Sequence, residues 1–210
     1  MPSERAALLV GVLFPLALFA AVAAAVSGGD GIPWDAELLR FAEGHYQVTA
    51  VDSLDIILRA IVGASAVLSA AMVIVFLIAH RRRHALVWVL GVGGAFALDS
   101  LLKNIFRRPE LGGSGGVYSF PSGGAMASVA VLLALVLTAP SVWRRSLLLV
   151  GVPLLLIEGG ALVYAWWHYP SDVVGGWCFG SFWLTGCWLL LFRPRRRAVD
   201  APDRTATADG

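Results

Sequence analysis

Long apolar stretches with few charged residues follow one another along most of the chain. Each is close to the roughly 20 residues that a membrane-crossing helix needs. Lipid offers backbone groups no hydrogen-bonding partner, so only helices or closed barrels cross a bilayer, and these stretches are too long and uniformly apolar for barrel strands. The pattern predicts an all-α polytopic membrane protein, a bundle of six transmembrane helices at about 6–28, 60–79, 85–102, 124–142, 146–167 and 172–192.

The first stretch has a second interpretation. Arg5, an apolar run and the small residues Ala23, Ala24 and Ala25 together look a little like a cleaved signal peptide. The apolar part is longer than ~20 residues, whereas the core of a signal peptide has about 7–15. A retained first span is therefore the favoured prediction.

Composition supports the membrane class and excludes others. Hydrophobic residues make up 58% of the chain and charged residues 14%, against about 45–50% and about 25% in soluble domains. This excludes an ordinary soluble enzyme, a disordered chain and a coiled coil. The net charge of +2 is too small to indicate nucleic acid as a partner. Cys178 and Cys187 share one apolar run and are expected to be membrane-buried thiols.

Basic residues predict the orientation, because cytoplasmic loops carry the excess of Lys and Arg. Both termini are then cytoplasmic, with one membrane domain over 1–197 and a disordered tail over 198–210. The segments 29–55, 103–123 and 167–172 lie on the outer face. Eleven of the 16 Lys and Arg residues define the cytoplasmic side: Arg5, Arg81, Arg82, Arg83, Arg144, Arg145, Arg193, Arg195, Arg196, Arg197 and Arg204.

The outer segment 29–55 carries an amphipathic pattern. Trp34, Leu38 and Phe41 recur at helical spacing among charged residues. A short helix lying in the outer interface and a plain connecting loop explain this pattern equally well.

Three groups of polar residues stand at the predicted outer ends of spans. Cations follow the third span, against the orientation trend, which suggests an anionic ligand. A Pro-Ser-Gly turn opens the fourth span, where backbone N–H groups can bind an anion. A histidine and a carboxylate four residues apart precede the last span, and the carboxylate can fix the tautomer of the histidine. The groups are Lys103, Arg107 and Arg108; Ser122 and Gly123; and His168 and Asp172.

Each signal also has a structural explanation. Pro-Ser-Gly is an ordinary junction before a helix, and His-x-x-x-Asp is common. Asp99 and Lys103 are spaced as a helix pair, which would compete with phosphate for the lysine. Charges inside spans are functional candidates, so Glu158 and Arg59 give weak support to a transporter. They can equally form a structural ion pair with each other or lie near the ends of their spans.

Taken together, the three groups resemble the type-2 phosphatidic acid phosphatase superfamily, which is related to vanadium haloperoxidases. The family pattern is Lys, six residues and Arg-Pro; then Pro-Ser-Gly-His; then Ser-Arg, five residues, His, three residues and Asp. The matching stretches here are 103–109, 120–124 and 162–176, and the resemblance covers about 50–192.

The resemblance implies residue roles. His168 would attack phosphorus and form a phosphohistidine, with Asp172 orienting the imidazole. The phosphate oxygens would be held by Lys103, Arg107 or Arg108, and the Ser122–Gly123 turn. No metal or other cofactor is implied. The ligand would be a lipid phosphate or a polyprenyl diphosphate such as undecaprenyl diphosphate, met at the extracytoplasmic face of the cell membrane.

The chain departs from the pattern at catalytic positions. Gly124 stands where the family has its general-acid histidine, and Leu162 stands where it has an arginine. Glu110 falls at a position usually held by a cation, two residues after Arg108. A missing general acid costs on the order of 10²–10⁴ in rate. His45 is the one other histidine predicted on the outer face that could replace it.

Two functions follow from these residues. The chain can be a divergent lipid phosphate phosphatase, in which case a diphosphate, with its better leaving group, should be preferred over a monoester. It can equally be a catalytically impaired relative that binds lipid phosphate or scaffolds a membrane partner without turnover. Neither the lipid nor the oligomeric state follows from the sequence.

Overall fold

The computed structural model describes residues 2–28, 32–45, 48–111 and 117–192. The predicted tail, 198–210, lies outside the described residues. Within them the fold is all-helical, with one isolated antiparallel bridge between Pro109 and Tyr118. The helices are α1 (Pro2–Ser27), α2 (Pro33–Gly44), α3 (Val48–Ile78), α4 (Arg82–Phe106), α5 (Gly123–Thr138), α6 (Ser141–Tyr164) and α7 (Pro170–Leu191).

Five of these helices contain stretches long and apolar enough to cross a membrane, within α1, α3, α4, α6 and α7. They correspond to five of the six predicted spans and confirm a multi-pass, all-α architecture. The remaining predicted span coincides with α5, which has 16 residues. At 1.5 Å per residue it measures about 24 Å, less than the roughly 30 Å hydrocarbon thickness of a bilayer. The sixth span and the cytoplasmic termini therefore stay predictions.

The amphipathic segment forms a short helix, as one of its two interpretations predicted. Helix α2 begins at Pro33, where the fixed φ of proline suits a first helical turn. The end of the segment belongs to α3, which begins at Val48 rather than near residue 60. Asp52 and Asp55 in its first turns hid this extension, because the hydropathy pattern turns strongly apolar only after them.

Helix α7 lies at the centre of the bundle and packs most extensively against α1 and α5. Two glycines one helical turn apart allow the close approach to α5. A Cβ atom on Gly176 would lie 2.5 Å from the carbonyl oxygen of Ser122, and one on Gly180 would lie 2.5 Å from that of Met126. Small residues at this spacing are a common device for packing helices in lipid. They bring the first turns of α5 and α7 side by side.

An aromatic cluster supports the junction between α4 and α5. The Phe120 ring lies 5.0 Å from Phe106 and 5.8 Å from Phe19, centroid to centroid, and Phe19 lies 5.0 Å from Phe179. These rings join α1, the end of α4, the segment before α5 and the middle of α7. Since Phe120 is fully buried, the Ser122–Gly123 turn that follows it is held in place by packing.

Candidate active site

A cavity of about 210 Å³ lies where α3, the end of α4, the start of α5, the C-terminal part of α6 and the turn before α7 meet. Its walls combine apolar side chains with a small set of ionisable groups and two glycines. Lys103, Gly123 and His168 were predicted site residues, and all three line it. The polar and glycine lining is Asp99, Lys103, Gly123, Gly124, Glu158 and His168.

His168 and Asp172 are brought together by the turn between α6 and α7. Trp166 has a φ of 60°, and the N–H groups of Trp167 and His168 both donate to the carbonyl of Leu162, at 3.1 and 3.3 Å. His168 Nδ1 then lies 3.6 Å from Asp172 Oδ2. This is slightly longer than a hydrogen bond, and Nε2 is the ring nitrogen that does not face Asp172.

Asp172 is completely buried behind the histidine, and its polar atoms are engaged in three directions. Oδ2 accepts from the backbone N–H of Tyr169 at 3.0 Å. Oδ1 accepts from Arg108 at 2.6 Å. Its backbone carbonyl accepts from the N–H of Ser122 at 2.9 Å. The same residue therefore lies next to His168 and ties the start of α5 to the start of α7.

Ser122 and Gly123 form the first turn of α5, as the sequence predicted. Ser122 is fully buried and its hydroxyl accepts from the N–H of Ala125 at 3.4 Å, so it serves as the N-cap of the helix. Gly123 faces the cavity. Unpaired N–H groups at a helix start favour a bound anion, and this turn opens towards His168.

Arg108 lies beside the site but in a separate network. Its guanidinium donates to Asp172 Oδ1 at 2.6 Å and to Asp35 Oδ2 at 2.7 Å, and it stacks on the Tyr169 ring at 3.7 Å from the centroid. It is absent from the cavity lining. Arg107 ends α4 in a left-handed conformation, with φ 49°, and its exposed side chain donates to the Asn104 carbonyl. Neither arginine faces the cavity.

Lys103 forms the helix pair that the spacing suggested. Its ammonium lies 3.3 Å from Asp99 Oδ2. The Asp99 carboxyl in turn lies against Gly123, since a Cβ built on that glycine would fall 2.6 Å from the carboxyl carbon. An anionic side chain therefore already occupies the space between the lysine and the start of α5.

One of the alternatives for Glu158 and Arg59, a structural ion pair with each other, is wrong. Arg59 donates to Asp55, one turn earlier on α3, at 2.9 and 3.0 Å, and stacks over Trp167 at 5.0 Å. Glu158 accepts instead from the Ser128 hydroxyl at 2.6 Å. Arg59 pairs with Asp55 because two residues at i and i+4 of one helix are neighbours without any tertiary packing.

His45 does not line the cavity that contains His168. Its Nδ1 lies 2.8 Å from the Phe41 carbonyl, and its backbone carbonyl accepts from the Tyr164 hydroxyl at 2.7 Å. It lines a different, apolar cavity of about 370 Å³ between α2, α6 and α7. This arrangement gives no support to His45 as the replacement acid.

Comparison with known proteins shows the family of this chain and a solved structure with a similar fold. The PAP2 superfamily, that of the type-2 phosphatidic acid phosphatases, matches residues 89–196, which include every predicted site residue. The chain belongs to the PAP2 superfamily. Among curated proteins no sequence matches. The fold is similar to the crystal structure of a transmembrane PAP2-type phosphatidylglycerolphosphate phosphatase from Bacillus subtilis, with a TM-score of 0.67 and 21% identity over 87% of this chain and 98% of that one.

Two of the departures from the PAP2 pattern, Gly124 and Leu162, lie together in space. A Cβ on Gly124 would lie 3.8 Å from Glu158 Oε1 and 3.9 Å from Leu162 Cδ1. The position without its histidine, the position without its arginine and a buried carboxyl thus share one wall of the cavity. Together with Asp99, this wall makes the site less cationic than the PAP2 pattern implies.

Sequence reasoning missed Asp35 and Ser171. Asp35 is 3% exposed; besides Arg108, its carboxylate binds the Ser171 backbone N–H at 2.8 Å and the Ser171 hydroxyl. In the sequence Asp35 looked like part of the polar face of an interfacial helix. The available signal was its position in the first turn of a helix that begins at Pro33, where a carboxylate is favoured.

PAP2 membership, the helical architecture and the cavity support a membrane protein with a lipid phosphatase-like role. Metal-ligand clusters of three or more His, Cys, Asp or Glu residues are not found in the part of the chain that the structure describes.

Proposed function

We propose that this chain is a membrane lipid phosphate phosphatase that works through a phosphohistidine at His168, on the extracytoplasmic face. The observation that carries the proposal is the placement of His168 in one cavity with Lys103 and the start of α5, while Asp172 lies 3.6 Å behind Nδ1. A nucleophile, its orienting carboxylate and an anion cradle are what phosphoryl transfer to a histidine requires.

The reaction has two displacements. The lone pair of His168 Nε2 attacks phosphorus, and the bond from phosphorus to the lipid oxygen breaks as the phosphorus–nitrogen bond forms. Water then attacks phosphorus, the phosphorus–nitrogen bond breaks, and inorganic phosphate leaves. Lys103 and the N–H groups of the first turn of α5 stabilise the charge on the phosphoryl oxygens. Asp172 stabilises the positive charge that develops on the imidazole.

The proposed substrate is a lipid phosphate monoester or a polyprenyl diphosphate. The cavity supports a small charged headgroup by its volume of about 210 Å³ and its mixed lining. A lipid is supported by the exposed apolar faces of α3 and α6, which flank it. The extracytoplasmic face rests on the distribution of basic residues, which places the loops around His168 opposite the arginine-rich loops.

A second candidate function is binding of lipid phosphate without turnover. It is favoured by the neutralisation of two cations near the site: Arg108 is shared by two carboxylates, and Lys103 pairs with Asp99. Transition-state cations matter more for rate than for ground-state binding. A site with its cations engaged elsewhere could therefore retain binding and lose catalysis.

The test is phosphate release by the full chain purified in detergent. Phosphatidic acid, phosphatidylglycerol phosphate and a polyprenyl diphosphate are supplied separately, with His168→Ala as the matched control. Turnover that disappears in His168→Ala, together with an acid-labile phosphoenzyme in the unaltered chain, supports the phosphatase. Lipid phosphate binding with no turnover on all three substrates supports the second candidate and overturns the first.

A further inference from the structure

Hydrolysis of a lipid monoester at this site needs a proton donor. The oxygen that leaves is an alkoxide, which is a poor leaving group until it is protonated, and positioned general acids contribute about 10²–10⁴ in rate. Four ionisable side chains line the cavity: Asp99, Lys103, Glu158 and His168. His168 is the proposed nucleophile, so the donor must come from the other three or from outside.

Two of the three are engaged with each other. Lys103 and Asp99 form an ion pair at 3.3 Å, and the lysine is the cation that faces the phosphate. Glu158 is different. Among the described residues it takes part in no ion pair, and its one hydrogen bond comes from the Ser128 hydroxyl, which donates to Oε1 at 2.6 Å. The other carboxyl oxygen of Glu158, Oε2, is therefore the one that can carry a proton.

The surroundings of Glu158 suit an acid more than a charge. The residue is 7% exposed on a membrane-spanning helix, and burial of an unpaired charge is costly. Leu162 lies one helical turn after Glu158 on the same face of α6, and its apolar side chain gives Glu158 no cation to pair with. The free-energy cost of burial therefore favours the neutral carboxyl.

The glycine at position 124 leaves the carboxyl open to the cavity. A Cβ there would already lie 3.8 Å from Glu158 Oε1, so a larger side chain would stand between the carboxyl and a bound headgroup. Gly124 is thus not only a lost side chain. Position 124 therefore puts no side chain between the cavity and the Glu158 carboxyl, whose Oε1 is the oxygen nearer to this glycine.

We propose that Glu158 is the general acid of this site. The proposal rests on the proposed phosphatase function. Glu158 gives its proton to the lipid alkoxide as the phosphorus–oxygen bond breaks, and the resulting carboxylate takes a proton from the water that attacks the phosphohistidine. The acid is restored when inorganic phosphate leaves. With this acid in place, lipid phosphate monoesters are substrates alongside diphosphates, and a preference for diphosphates should emerge only when Glu158 is removed.

The deciding experiment compares leaving groups. Glu158→Gln keeps the size of the side chain and its acceptor for Ser128 but has no proton to give. Phosphate release from phosphatidic acid should fall by about 10²–10⁴, whereas release from a polyprenyl diphosphate, whose leaving group needs little protonation, should change far less. Glu37→Gln, an exposed carboxyl on α2, is the matched control and should leave both rates unchanged.

A pH profile separates an acid from a structural residue. Activity on phosphatidic acid should fall on the alkaline side in the unaltered chain and in Glu158→Asp, which retains a carboxyl. This limb should be absent from the residual activity of Glu158→Gln. Asp99, Lys103 and His168 face the same cavity, and their titrations remain in every variant, so the difference between profiles reports position 158.

Each outcome is decisive. Equal losses on both substrates in Glu158→Gln would overturn the proposal, since a misfolded or misplaced site slows both. Unchanged hydrolysis of phosphatidic acid would overturn it while the phosphatase stands. If the unaltered chain releases no phosphate from either substrate, the phosphatase itself is overturned, and the role of Glu158 with it.

Discussion

The Asp99 carboxyl packs against Gly123, so that a Cβ on the glycine would fall 2.6 Å from the carboxyl carbon. This contact puts a carboxylate at the helix start where the substrate phosphate is proposed to bind. The same carboxylate holds Lys103 at 3.3 Å. A phosphate that enters the cradle must therefore compete with Asp99 for the lysine, and it meets the negative charge of Asp99 beside Gly123.

Removing the charge of Asp99 should strengthen anion binding. Asp99→Asn releases Lys103 and removes repulsion, so inhibition by inorganic phosphate should tighten by roughly tenfold, or about 1.4 kcal/mol. The measurement is the inhibition constant in the phosphate-release assay. Asp55→Asn breaks the equivalent i,i+4 pair with Arg59 outside the cavity and serves as the control. Weaker phosphate inhibition in Asp99→Asn would show that Asp99 helps to hold the site together.

The two glycines of the first turn of α5 should respond differently to a methyl group. Gly123→Ala places a Cβ on Asp99, and such overpacking costs about 1–3 kcal/mol. Gly124→Ala meets its neighbours at 3.8 and 3.9 Å, which is ordinary contact. Thermal unfolding in detergent should therefore show a clear loss for Gly123→Ala and little change for Gly124→Ala. Equal losses would mean that helix geometry, rather than Asp99, requires these glycines.

Arg108 and Arg107 form a matched pair for testing whether either binds phosphate. Arg108→Ala leaves Asp35 and Asp172 as buried carboxylates without their cation, and removal of one partner of a buried ion pair costs about 3–5 kcal/mol. Arg107→Ala removes an exposed side chain and should be nearly neutral. Thermal unfolding measures the difference. A normal midpoint for Arg108→Ala with a raised KM would instead identify Arg108 as a phosphate ligand.

The face of the membrane can be read from single cysteines. Val117 is 74% exposed in the predicted outer segment, and Ser141 is exposed at the start of α6 on the predicted cytoplasmic side. A membrane-impermeant maleimide applied to whole cells should label Val117→Cys and spare Ser141→Cys. The native Cys178 and Cys187 are buried and provide the background. The reverse pattern would invert the orientation and place His168 on the cytoplasmic side.

The site itself was only partly predictable. Local spacing and the motifs of the family mark five of the site residues, and the structure places them at one end of the bundle. They are His168, Asp172, Lys103, Ser122 and Gly123. Their individual roles stay predictions.

Arg108 shows the limit of spacing. It follows Lys103 closely in sequence, yet α4 ends at Phe106 and Arg107 is left-handed. Arg108 therefore donates to Asp35, 73 residues away. A short-range pattern holds no information about that partner.

The sequence by itself determined the class of the protein and most of its helices, because the cost of exposing backbone groups to lipid leaves apolar stretches of this length no alternative to helix. The tertiary structure alone decided which charges meet. Glu158 faces Ser128 and Gly124 instead of Arg59, and Asp99 lies against Gly123, because helix packing sets these pairings. Whether a buried carboxyl is an ion-pair partner or an acid depends on such neighbours, which lie far away in the chain and within a few ångströms in the fold.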